Sequence, residues 1–590
     1  MLEPRLYRLG LLLALAAAVV LMFSVVSRPQ SLRSDVAADA FDGEGAAAIT
    51  RQLIEVAPDR EPGSAGNAAA AGFVAERFRA IQGGSVSVQR FDAEFDGDDV
   101  PMRNVSLVLP GLTDRTIVIA APRDCDGGPC AASSGAATAA LLELASNFDG
   151  APHAKTLAFV STDGSVAGAA GAKVLAQALD ETPVEAVIVI SQPGSGLGRR
   201  PFVVPWSAGP QSTSIQLLES ARDAVSSEVG GDPLALRTFP SLFHLAIPSG
   251  LGEQAVLIEH GADAIGISSA GDRPLPESQD GLASLDPAAL GHFGRATLSL
   301  VFALDRLSEP LEHGPDAYLP LAGKLLPGWA LALLAIGLLI PVGLVSIDGL
   351  ARASRAGEPV LRTVLWALGR SAPFLALLVL AHLMALPGLI PQPAFPYDPQ
   401  SHTFGVGAAL ALVALLAAFV ATLVATRSLS APPAADEALA PAIGAVIFVA
   451  VVTVWLVNPF LALLLVPTAH LWLAAAVPEL RRQPLPAVLL LLLGLVLPLV
   501  AVGYLGSSLG VGWAVPWQIM LMLTGGQVGL AQALALSVLG GLLIAIVELA
   551  TRRRAHGADE RPLFEAEIPQ HAGPGSLGGP PSQSVPGHKF

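Results

Sequence analysis

The residues able to do chemistry in this chain are few and scattered. Cys125 and Cys130 are its two cysteines, in the run C-D-G-G-P-C. Two glycines and a proline between them let a small disulfide loop close, which persists outside the cytoplasm. Two buried thiols are the other reading, and a metal site on the pair would need a second Cys or His pair at zinc-ligand spacing, which is missing nearby. Arg123, Asp124 and Asp126 form a charged loop beside them, read as a solvated rim or an Arg–Asp pair rather than an acid–base apparatus. His153 precedes a strand, and His292 lies in an apolar helical run. His260 stands in I-E-H-G-A-D, a helix-to-strand turn where a histidine favours the helix end. His244 belongs to L-F-H-L-A-I-P (242–248), read as a strand. The pattern G-x-S-x-G occurs at Gly506 to Gly510, in a loop between two apolar segments and not at a strand-to-helix turn, so it carries no nucleophile. The phosphate-loop pattern G-x-x-x-x-G-K-[ST] does not occur.

The elements that must position these residues read clearly. T-I-V-I-A-A (116–121), T-L-A-F-V-S (156–161), A-V-I-V-I-S (186–191) and A-D-A-I-G-I (262–267) predict buried strands. Ala136 to Phe148 and Ala167 to Leu179 predict the helices between them. Strands alternating with helices imply an α/β fold with a mostly parallel sheet and flanking helices. Chemistry is expected at the carboxyl ends of those strands.

Hydrophobic residues make up 52% of the 590 and charged residues only 14%, against about 25% in soluble domains. The charges concentrate between about 28 and 320. The first apolar segment, Leu9 to Val26, follows Arg5 and Arg8 and is long enough to span about 30 Å of hydrocarbon. Ser27-Arg28-Pro29 is a poor cleavage site, so a retained signal anchor is expected. Seven further spans are expected near 325–346, 363–388, 404–425, 439–457, 459–478, 485–505 and 527–549, making an all-α bundle of about eight. Arg352, Arg355 and Arg362, then Arg427, then Arg481 and Arg482, then Arg552 to Arg554 all fall on the side of Arg5 and Arg8. Pro391 to Thr403 and Gly506 to Gln518, on the other side, contain no Lys or Arg. Four regions follow: 1–27, a cytoplasmic start and anchor span; 28–320, an outer α/β domain; 321–550, a seven-span bundle; and 551–590, a disordered cytoplasmic tail. The expected location is the plasma membrane, multi-pass, with both termini inside. His382 and His470 are the conspicuous polar residues in the spans, and without an acidic partner at span centres a transport relay is disfavoured. Gly540-Gly541 could serve helix docking.

Five stretches, in order, resemble the co-catalytic zinc aminopeptidase family. They are R-E-P-G-S-A-G-N (60–67), R-N-V-S-L-V-L-P-G (103–111), A-A-L-L-E-L-A (139–145), F-V-S-T-D-G-S-V-A-G-A-A-G-A (159–172) and L-F-H-L-A-I-P (242–248). The resemblance implies a site where two zinc ions activate a bridging water. Residue by residue, it places Pro122 at the first His ligand, Ser133 at the bridging Asp, Ser165 and Val166 at the paired glutamates, Ser191 at the second Asp, and Pro276 at the final His. Asp124, at the supporting acid, is kept. Val and Pro offer no ligand atom and Ser is a poor one, so the implied metal site is degenerate. One anchor span, a ligand-poor outer domain and a multi-span bundle are also similar in arrangement to the anchor-attachment subunit of the GPI transamidase. The multi-span endoplasmic-reticulum metallopeptidases share the arrangement and keep their ligands.

The formal net charge of −15 excludes a nucleic-acid partner, which needs a basic face. Scarce Lys beside abundant Ala, Arg, Gly and Pro is the usage of a GC-rich bacterial genome. The first functional expectation is a pseudoenzyme: a membrane protein whose outer domain holds a peptide, an amino-terminal group or a membrane-protein partner without catalysis, needing no cofactor. The alternative is an active membrane zinc metallopeptidase of aminopeptidase type with displaced ligands, which would need zinc. A transport or lipid-handling protein is the weaker alternative.

Overall fold

The structure, a computed structural model, describes residues 3–196, 198–234, 236–431, 436–481 and 483–551. The expected tail lies, from 552 on, outside the described residues, as does Arg482. The chain opens with α1 (Pro4–Phe23) and strand β1 (Val26–Ser27). Next come α2 (Gly43–Val56) and α3 (Ala65–Arg79), started by Asp42 and Ser64, whose side chains accept from the amides of Gly45 (2.9 Å) and Asn67 (3.0 Å). Strands β2 (Ser85–Phe95), β3 (Asp98–Leu109) and β4 (Thr113–Pro122) lead to α4 (Ala136–Ser146) and β5 (Lys155–Thr162). Then α5 (Ala170–Leu179), β6 (Val184–Ile190), β7 (Val203–Val204) and α6 (Ile215–Val229) follow. α7 (Thr238–Ala246), α8 (Glu253–Glu259), β8 (Ala264–Ile267) and α9 (Pro287–Asp305) complete the α/β part.

Seven strands form one mixed sheet in the order β2-β3-β5-β4-β6-β8-β7. The central four, β5-β4-β6-β8, are mutually parallel and overlap the four strands expected from sequence, with β6 ending at Ile190 and β8 starting at Ala264. The β2–β3 hairpin and β7 add antiparallel edges. Alternation along the central strands sends Ile117, Ile119, Ile188 and Ile190 to one face, where α2, α4 and α9 cover them. Val118, Ala120, Val187 and Val189 face the other way, onto α5 and α8. Both faces are therefore dry, as a parallel centre requires.

Residues 242–248 are not a strand. Leu242, Phe243, Leu245 and Ala246 follow helical spacing in α7 and are buried among bundle residues such as Phe460 and Leu464. The resemblance drawn on that stretch as a strand is withdrawn. Strands β9 (Tyr318–Leu321) and β10 (Lys324–Pro327) pair with β1 in a small antiparallel sheet, which brings the two ends of the α/β part together.

The bundle contains α10 (Gly328–Arg355), α11 (Val360–Gly369), α12 (Ala372–Ala385), α13 (Val406–Leu429), α14 (Asp436–Val457) and α15 (Pro459–Ala476). It ends with α16 (Pro478–Arg481), α17 (Pro484–Ser508), α18 (Val515–Thr524) and α19 (Leu530–Thr551). Among the described residues seven helices are long and apolar enough to cross a membrane, eight if the bent pair α11–α12 is one span. This is consistent with a multi-pass membrane protein. G-S-S-L-G begins in the last turn of α17, so its first serines are helical. Small residues make the helix contacts: a Cβ at Gly10 in α1 would lie 2.8 Å from the Pro341 Cα in α10. Gly540 and Gly541 face Phe374 and Ser371 of the same chain, so their close packing serves the fold itself. His470 Nε2 donates to the Leu338 carbonyl (2.9 Å), which leaves Nδ1 to accept from the Tyr7 hydroxyl (2.6 Å), and His382 Nδ1 bonds the Leu378 carbonyl of its own helix. Sequence reading overlooked one ion pair, Arg370 Nε to Glu548 Oε2 at 2.9 Å, with Arg370 wholly buried at the α11–α12 bend.

Candidate functional site

The carboxyl ends of β4, β5 and β6 open into a cavity of about 190 Å³. Six of the seven positions named from sequence line it: Pro122, Asp124, Ser133, Ser165, Val166 and Ser191. Pro276 does not, and Pro274 and Leu275 take its place because the chain turns away at Pro276 into a short 3-10 segment.

Two arginines fix the floor. Arg123 is not on a solvated rim: it is fully buried and pairs with Asp163 (2.9 Å), not with Asp124. It also donates to Asn67 Oδ1 (3.1 Å) and to the Arg103 carbonyl (2.8 Å), while Asn67 Nδ2 donates to the other Asp163 oxygen (2.6 Å). Arg60, also fully buried, donates to the carbonyls of Arg123 (2.9 Å) and Pro129 (3.0 Å) and to Ser134 Oγ (3.1 Å). R-E-P-G-S-A-G-N thus supplies the two side chains that hold the loops after β4. Cys125 and Cys130 are joined by a disulfide, with their Cα atoms 6.1 Å apart. Ser133 follows, its amide donating to Asp280 Oδ1 (2.8 Å) and its hydroxyl to Asp280 Oδ2.

Buried carboxyls dominate the electrostatics. Asp124 Oδ2 accepts from the Val166 amide (2.9 Å), and Oδ1 is buried with no partner among the described residues. Burial, reinforced by Asp163, pushes the Asp124 carboxyl up to about 6. Glu253, at the start of α8, accepts from Thr162 Oγ1 (2.8 Å) through one oxygen, and its other oxygen is buried without a partner among the described residues. Burial pushes Glu253 up to about 8, against the pull of the Thr162 hydrogen bond. Burial also raises Asp272, to about 6, and Asp280. Sequence reading missed Glu253, Asp272 and Asp280. The available signal was Gly252-Glu253 opening the helix that leads into the expected strand β8.

The last wall comes from the bundle. Pro396, Tyr397, Asp398 and Ser401, in the segment between α12 and α13, close the cavity. Tyr397 donates to Gln518 Oε1 (3.0 Å) in α18, and Lys173 Nζ in α5 donates to the Phe395 carbonyl (3.2 Å), which pins this segment from both sides.

The donor set does not fit a pair of zinc ions. Pro122, Ser133, Ser165, Val166 and Ser191 present no carboxylate or imidazole. Among the described residues no three His, Cys, Asp or Glu side chains converge as metal ligands do. The four histidines of the α/β part noted in the sequence do not line the cavity, whereas His402 stands at its edge beside Asp126 and Asp398. His260 Nδ1 bonds the Val256 carbonyl of its own helix (2.8 Å), and His292 meets Glu228 (3.4 Å). His153 lies 35° from coplanar with Phe148 at 6.2 Å. His244 stacks on Trp206 at 3.8 Å, and burial lowers it to about 3.

No family model matches this sequence, and no curated protein matches it. Solved structures similar to part of it include the glutaminyl cyclase of an Acidobacteriales bacterium, at 21% identity and a TM-score of 0.37, covering 47% of this chain and 99% of that one. The LapA aminopeptidase of Legionella pneumophila is 15% identical with a TM-score of 0.38, over 46% of this chain and 72% of that one. A Zn-dependent exopeptidase of Parabacteroides distasonis is 15% identical with a TM-score of 0.34, over 45% of this chain and 99% of that one.

Proposed function

We propose that this is a membrane-held receptor whose α/β part binds a cationic amino group, such as the amino terminus of a peptide or partner protein, without catalysis. The observation that carries the reading is the pair Asp124 and Glu253, each with one buried oxygen that has no hydrogen-bond partner among the described residues. Buried polar atoms are normally hydrogen-bonded, so two orphan acceptors in one cleft call for a donor from outside. An ammonium group brings three donors and the charge that would lower both carboxyls toward their ordinary range. The same carboxyls do not make a zinc hydrolase: the positions that would hold metal carry Pro, Ser and Val, side chains unable to balance the charge of two divalent ions. In this reading the bundle anchors the receptor in the plasma membrane and closes one side of the cleft.

The test is calorimetry on the full chain in detergent, with trialanine amide and its N-acetyl form as probes. The free amine binds, the acetylated form does not, and Asp124→Asn with Glu253→Gln abolishes binding. Affinity for the amine rises between about pH 6 and 8 as the two carboxyls ionise. Equal binding of both probes would refute the proposal. So would stoichiometric zinc in the purified chain with chelator-sensitive release of amino-terminal residues, the outcome that favours a metallopeptidase.

A further inference from the structure

A second cavity, of about 400 Å³, lies where the α/β part meets the end of α17. Its lining includes Arg199, Arg200, Arg237 and Arg273, with one carboxylate, Asp272, in the wall shared with the first cleft. Four guanidinium groups around one space would be ordinary if each had a carboxylate. Only Asp272 lines the space with them, and it attracts Arg199 and Arg273 without a direct ion pair: among the described residues none of the four makes an ion pair or a side-chain hydrogen bond, although the chain as a whole has an excess of acids. Arg200 alone has an aromatic partner, its Cζ lying 5.6 Å from the Phe202 ring centre. The Nη2 of Arg199 is buried and unpartnered. Arg199 and Arg273 repel one another, and the single carboxylate Asp272 offsets this only in part. A cluster of like charges with unsatisfied donors costs stability unless an anion completes it.

Tyr504, Ser507, Ser508 and Leu509, from the end of the apolar helix α17, form the opposite wall. Close by in sequence, Trp513 is 78% exposed, and Phe239, between the lining residues Arg237 and Pro240, is 63% exposed. Exposed aromatics beside the end of a spanning helix are the mark of a bilayer surface. Planar guanidinium forks match phosphate oxygens two at a time. The space is also far larger than a bare phosphate ion fills.

We propose that this four-arginine cavity binds a phosphate group, carried by a membrane-lipid headgroup or by a soluble phosphate. The site is separate from the amino-group cleft and does not depend on that reading. The experiment titrates the full chain in detergent with dihexanoyl phosphatidic acid, the matching diacylglycerol and inorganic phosphate. Phosphatidic acid binds saturably and diacylglycerol does not. Arg199→Gln combined with Arg273→Gln weakens binding by about tenfold or more, from the loss of two charged hydrogen bonds, while Arg51→Gln on the exposed face of α2 leaves it unchanged. Inorganic phosphate binding as tightly as the lipid assigns the site to a soluble phosphate; much weaker binding assigns it to a headgroup. Melting of each ligand-free variant reports folding, and removal of mutually repelling charges leaves the transition at or above that of the parent. Arg237→Gln, at the exposed rim, weakens binding in the same direction and serves if the double variant misfolds. No saturable binding of either phosphate probe, or equal binding by the variants, overturns the proposal.

Discussion

Glu253 shows how much one side chain can reveal. Its carboxyl sits about 8 in the folded chain against 4.5 for an ordinary glutamate, so between those values the folded state holds a proton that the unfolded state has lost. The stability tied to that proton is whole below 4.5 and is lost as pH rises through about 8. Asp124 acts in the same direction over a lower window, up to about 6. The ligand-free full chain therefore melts at a lower temperature near pH 9 than near pH 6. Glu253→Gln keeps an acceptor for Thr162 and removes the titration, so it flattens that dependence and is the more stable form at the alkaline end. An unchanged pH profile in Glu253→Gln would show that this carboxyl titrates normally. None of this was legible from sequence, because burial and not residue type sets the value. Arg123 makes the same point: in a loop rich in Asp, Gly and Pro it reads as solvated, yet it is fully buried against Asp163, where loss of one partner would leave a bare charge inside.

Among the elements, the central strands were legible because short, largely apolar runs fill them, and the apolar helices because their length admits few other readings. Six of the named positions line one cleft since strand ends in a parallel sheet converge whatever residues occupy them. Residues 242–248 were misread because an apolar run this short, bounded by proline, does not separate helical spacing from a buried strand. Only the neighbouring bundle makes it a helix, with Asn458 Nδ2 donating to the carbonyls of Leu245 (2.8 Å) and Ala246 (3.2 Å) at its end. Glycines test the packing directly. A Cβ at Gly541 would overlap the Ser371 backbone, whereas nothing lies within 4 Å of one at Gly72. Gly541→Leu is expected to lower the melting temperature of the full chain by several degrees through separation of α19 from the α11–α12 bend, while Gly72→Ala is neutral or slightly stabilising. Equal melting of the two variants would mean that the close approach at Gly541 does not hold the bundle.

For the whole molecule, arginine placement argues that the α/β part and the α12–α13 segment share the outer side, with the ends of α10 and α19 inside. Cysteine substitutions read this out. In intact cells an impermeant maleimide labels Ser401→Cys and leaves Ser354→Cys, near the end of α10, untouched until the membrane is opened. The reverse pattern would invert the orientation, and with it the exposure of the cleft.

Tyr397 and Asp398 belong to the helical bundle by sequence and to the cleft by position. A guest in that cleft touches both halves of the molecule, so its hold must depend on how the helices are arranged. By reciprocity, its arrival must bias the helices by the same free energy. The outer half alone would be a vessel with one side missing, and under the proposed function an occupied cleft in the intact chain would make itself felt in the bilayer.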